Sequence, residues 1–68
     1  MPKSIVLHLA GGLRKRYGHK SIEQAHDLAV AAEAYGNDEA ATLWRGAWLH
    51  LRRLYQRFRQ MRDGKAAP

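Results

Sequence analysis

The sequence predicts an all-α protein, a three-helix unit whose long C-terminal helix extends past the other two. Three observations lead there. Apolar residues recur at three- and four-residue steps in three stretches, the spacing that keeps side chains on one face of a helix. Gly18 and Gly36 stand where the first two stretches end, as residues that close helices in a left-handed conformation do. The last stretch is the longest. In it Trp44, Ala47, Leu51, Leu54, Phe58 and Met61 form one stripe, extended upstream by Ala40 and widened by Leu43, Trp48 and Tyr55.

The first helix is expected over residues 5–17, capped by Ser4. Ile5, Val6, Leu9, Ala10, Leu13 and Tyr17 share its inward face. Alternation of Ile5, Leu7 and Leu9 also fits a strand turning at Gly11-Gly12, but a lone strand has nothing to pair with. Each of those glycines costs about 1 kcal/mol relative to alanine in a helix, a cost offset if Gly12 admits a neighbouring helix. Ser21-Ile22-Glu23-Gln24 matches a capping box, opening a second helix over residues 22–35. Its inward face is mostly small: Ile22, Ala25, Leu28, Ala29, Ala32 and Tyr35. Asn37 or Asp38 caps the third helix, residues 38–62, with Asp38 and Glu39 at the positive end of its dipole. Residues 1–63 form one domain and residues 64–68 a frayed tail. Gly46 lies opposite the stripe, where a helix crossing or simple tolerance would each account for it.

The chain has 68 residues and no cysteine. That excludes disulfides and thiolate metal sites, leaving close helix packing or a partner to stabilise a small domain. A reducing cytoplasm is the expected compartment. Residues 5–10 are too short for a signal-peptide core and are followed by Arg14-Lys15-Arg16, and no run reaches the roughly 18 apolar residues of a membrane span. Net charge is +6, unevenly spread. Residues 21–44 hold Glu23, Asp27, Glu33, Asp38 and Glu39 with no Lys or Arg, while the remainder holds every cation and only Asp63. Two readings stand: an acidic helix packed between basic ones, or a cationic surface kept for an anionic partner.

Arg16-Tyr17-Gly18, the spaced alanines, Gly36-Asn37-Asp38-Glu39-Ala40-Ala41 and Leu43-Trp44-Arg45 together resemble short bacterial three-helix proteins of unknown function. The likeness covers about residues 5–56 and is one of turns and caps. It implies three helices and no activity. The arginine-rich extension after Leu51 departs from it.

Catalytic chemistry finds little support. His8, His19, His26 and His50 include no i, i+4 pair. His19, Glu23 and His26 would suit zinc if folding brought them together, but an ordinary helix pair between Glu23 and His26 explains the same residues. Ser4 and Ser21 are explained by capping, and Thr42 has no nearby base. Gly11-Gly12 lacks a phosphate-loop continuation. No catalytic residue, metal or cofactor is expected, and the protein is read as non-enzymatic.

Lengths give the functional expectation. At 1.5 Å per residue the first two helices are about 20 Å long and the third about 37 Å, so antiparallel neighbours cover the third only to about Arg52. Trp44, Trp48, Leu51, Leu54, Tyr55, Phe58 and Met61 are therefore the expected interface with a second copy, making a dimer, or with a protein partner. The alternative is nucleic-acid binding through Arg45, Arg52, Arg53, Arg57, Arg59 and Arg62, because arginine both binds phosphate and stacks on rings. Arginine stems bordering a helical seam are the ordinary explanation of the same pattern. A peripheral membrane helix ranks last.

Overall fold

Two glycines set the chain path. Gly18 has φ +59 and Gly36 φ +76, a backbone region in which a Cβ meets the following carbonyl. The computed structural model describes the backbone of residues 2–66 and the side chains of residues 4–60. Within that span the protein is all-helical, with no strand among the described residues. α1 runs Pro2–Tyr17, a 3₁₀ turn Gly18–Lys20 follows, and then come α2, Ser21–Ala34, and α3, Asp38–Ala66. Because the 3₁₀ turn passes directly into α2, the chain consists of two helical arms: one jointed at Gly18, the other unbroken.

Several boundaries differ from the expected ones. α1 starts at Pro2, so Ser4 lies inside its first turn and caps nothing; proline at the first helical position loses no intrahelical bond. The Ser21 capping box does not form. Lys20 is the residue before α2, and Ser21 is already helical at φ −60, ψ −31, whereas an N-cap needs extended backbone to aim its oxygen at the free N–H groups. Tyr35 turns outward at 89% exposed, because α2 has ended one residue earlier. α3 continues through Ala66, so Gly64–Ala66 extend the helix where a tail was expected; Ala67 and Pro68 lie outside the described residues.

The turn between α2 and α3 follows the sequence closely. The Gly36 N–H donates to the Glu33 carbonyl at 3.0 Å and the Asn37 N–H to the Ala32 carbonyl at 2.9 Å, the paired bonds of a Schellman stop. Asn37 then opens α3, its Oδ1 accepting the Ala40 N–H at 3.1 Å. One residue thus closes one helix and caps the next.

The core is narrow and made largely of alanine. Ala10, Leu13, Ala25, Ala47 and Leu51 form its centre, with Val6, Leu9, Ile22, Leu28, Trp44, Trp48 and Tyr55 packed around it half-buried. Ala41, not the Ala40 of the expected stripe, is the buried residue of α3's first turns. α2 packs more extensively on α3 than α1 does. Close approach between α1 and α3 occurs at Gly46, where an added Cβ would lie 3.1 Å from a Val6 methyl. Gly12, assigned that role from sequence, would carry a Cβ with nothing within 4 Å. Val6 beside Gly46 and Arg14 over Phe58 make α1 parallel to α3. Glu33 beside Arg45 and Ile22 beside Tyr55 make α2 antiparallel to it. The molecule measures 50 × 23 × 17 Å, its long axis set by α3, about 43 Å at 1.5 Å per residue.

Candidate functional site

Parallel packing of α1 on α3 has an electrostatic consequence. Arg14, in the last turn of α1, reaches the Phe58 ring, and His19 of the 3₁₀ turn lines a groove with Arg52 and Arg59, whereas Arg16 borders a separate recess with Trp44; all of these arginines are exposed. Glu33, Asp38 and Glu39 gather around the α2–α3 turn at the opposite end. Glu23, in the first turn of α2, is the acid nearest the cationic end among the described side chains. The Arg/Lys ion pair among them, Arg45 with Glu33, is at the acidic end and half exposed, a contact worth about 0–1 kcal/mol.

A groove of about 540 Å³ opens within the cationic end. Ile22, Tyr55 and Phe58 make its apolar part; His19, Arg52, Gln56 and Arg59 border it. Tyr55 meets Phe58 edge-on, with ring centroids 5.9 Å apart and planes at 89°. The Arg14 guanidinium sits 5.2 Å over the Phe58 ring, and that of Arg52 lies 4.9 Å over Trp48. Both contacts are of cation–π type, and of the two arginines Arg52 also lines the groove.

The expected interface residues separate on this geometry. Leu51 is fully buried in the chain's own core and presents nothing to a partner. Trp44, Trp48, Leu54 and Tyr55 are half-buried, and Phe58 is 40% exposed. Cover on α3 reaches Phe58 instead of stopping near Arg52, because the last turn of α1 and the 3₁₀ turn add to the height of α2. The side chain of Met61 lies outside the described residues.

Of the arginines, Arg52 and Arg59 come together at the groove and Arg53 and Arg57 do not line it, while Arg45 is drawn away to Glu33; the Arg62 side chain lies outside the described residues. Arg52 and Arg59 flank the groove, and Arg53 and Arg57 occupy a separate flank of α3. Arg14, His19 and Ile22 join this site unanticipated. The run Arg14-Lys15-Arg16 was the visible signal, but its nearness to Phe58 depends on how α1 docks.

The remaining polar candidates take structural places. Among the described residues no three His, Asp or Glu side chains converge on a common point. His26 lies against Trp48, centroids 5.8 Å apart, with Asp27 at 3.7 Å, and does not pair with Glu23 as expected. The Thr42 hydroxyl donates to the Asp38 carbonyl at 2.9 Å. The Ser21 hydroxyl is buried without a partner.

No protein-family model, curated protein or solved structure matches the chain. Among the described residues no helix is long and apolar enough to cross a membrane.

Proposed function

We propose that this chain is a small, non-enzymatic three-helix binding module whose cationic end docks on the phosphate backbone of nucleic acid. The observation that carries it is the convergence of Arg14 with Arg52 and Arg59 around Phe58, in a groove with no acid among its lining residues. Guanidinium groups fixed beside aromatic rings suit phosphate and base stacking together. Phosphate neutralisation releases counterions, so binding weakens steeply as salt rises. Fluorescence anisotropy with labelled oligonucleotides between about 50 and 200 mM salt tests this. The expected outcome is binding at low salt and a lower salt slope in the Arg53→Gln/Arg57→Gln variant. Absence of binding to any nucleic acid at low salt overturns the proposal.

A second reading is favoured by the exposure of Phe58: self-association through the distal half of α3, giving a dimer. Sedimentation of wild type and Phe58→Asp separates the two. A monomer at tens of micromolar removes this reading and leaves the first intact.

A further inference from the structure

We infer that the groove between the 3₁₀ turn and α3 takes an unpaired base, so that the module prefers single-stranded nucleic acid to duplex. This rests on the nucleic-acid reading above and deepens it. A surface made for phosphate alone needs cations and no recess. Here the cations border a recess with an apolar floor, Ile22, Tyr55 and Phe58. Phe58 keeps 40% of its surface exposed although Arg14 lies over its ring and Tyr55 against its edge.

The groove's charge selects its occupant. Arg52 and Arg59 border it, with no Asp or Glu among its lining residues, so an apolar group carrying negative charge fits better than a neutral one. A nucleotide of an open strand meets both demands: the base covers apolar surface while the flanking phosphates meet Arg52 and Arg59. Gln56 and His19 supply hydrogen-bonding groups for the edge of the base. In a duplex the bases are paired and stacked, and only the backbone is presented; in a single strand they are free to splay onto aromatic side chains. The groove's volume of about 540 Å³ is within the range of small-ligand sites, about 300–1,000 Å³.

The test uses the full chain and three labelled probes of equal length: oligodeoxyuridylate, oligouridylate and a DNA duplex. Single strands should bind about tenfold more tightly than duplex, and the two single-stranded probes tell deoxyribose from ribose preference. Phe58→Leu keeps the apolar bulk and removes the stacking face, and should lose about tenfold on single strands, the scale of one stacked base. Its effect on duplex affinity should be the smaller of the two, limited to the freed Arg14 guanidinium, and the salt slope should stay close to wild type, since no charge is lost. Phe58→Trp should restore single-strand binding, which excludes a folding defect as the cause. Equal affinity for duplex and single strands, or a Phe58→Leu variant unchanged on both, overturns this inference while phosphate binding stands. No binding of any probe at low salt overturns the nucleic-acid reading itself.

Discussion

Ser21 shows how a residue's place in the backbone decides what its side chain is worth. Its hydroxyl is fully buried and has no hydrogen-bond partner, and desolvating an unpaired hydroxyl costs about 1–3 kcal/mol. Ser21→Ala should therefore raise the melting temperature, by about 4–8 °C if 1 kcal/mol is recovered in a domain of this size. A capping serine would give the opposite sign, so a thermal melt followed by circular dichroism checks the assignment. Gly46 gives a second single-residue test. Gly12→Ala gains helix propensity, about 1 kcal/mol, into open space. Gly46→Ala gains the same propensity but presses on Val6 at 3.1 Å, so its melting temperature should rise less. Adding Val6→Ala to each background isolates that contact: the difference between the two glycine variants should disappear once the Val6 methyls are gone.

At the scale of elements, what was legible in the sequence is what local chemistry controls. The stops at Gly18 and Gly36, the cap at Asn37 and the long α3 follow from residues within a few positions of each other. What depends on crossing geometry was not legible. Whether Ser21 caps or sits inside a helix depends on Gly18–Lys20 closing as a 3₁₀ turn. The partner of Gly46 depends on where α1 crosses α3, and Arg14 reaches Phe58 only because those helices run parallel. The spacing of Leu51 marks a helical stripe but does not say whether the stripe meets its own chain or another. Leu51 is the one large apolar side chain fully buried among the described residues, in a core otherwise centred on alanines and Leu13. Leu51→Ala should cost about 2–5 kcal/mol, comparable with the whole stability of a small domain. Denaturant titration should show a greatly lowered midpoint or no cooperative transition. Asn37→Ala, which removes one cap bond, should cost about 1 kcal/mol and leave cooperativity intact.

At the scale of the molecule, the described acids Glu33, Asp38 and Glu39 lie around the α2–α3 turn and Arg52, Arg53, Arg57 and Arg59 lie along the distal part of α3. The position of a charge change should therefore matter more than its size. Arg53→Glu should weaken oligonucleotide binding, while Arg45→Glu, a reversal of equal magnitude at the acidic end, should weaken it much less. The ion pair at Arg45 is exposed, so its loss should leave the fold in place. Equal losses in the two variants, read by anisotropy, would show that total charge governs the interaction and that the folded arrangement does not.

The joint at Gly18 brings like charges together. Folding presses the end of α1 against a stretch of α3 that repels it, and the narrow alanine-rich core has little surplus with which to oppose that repulsion. Dissolved ions weaken the repulsion and compete with any polyanion for the same groups. Added salt should consequently move two observables in opposite directions, raising the melting temperature of the free protein while weakening the proposed nucleic-acid binding. A polyanion bound as proposed should do the ions' work more effectively and so raise the melting temperature in its turn.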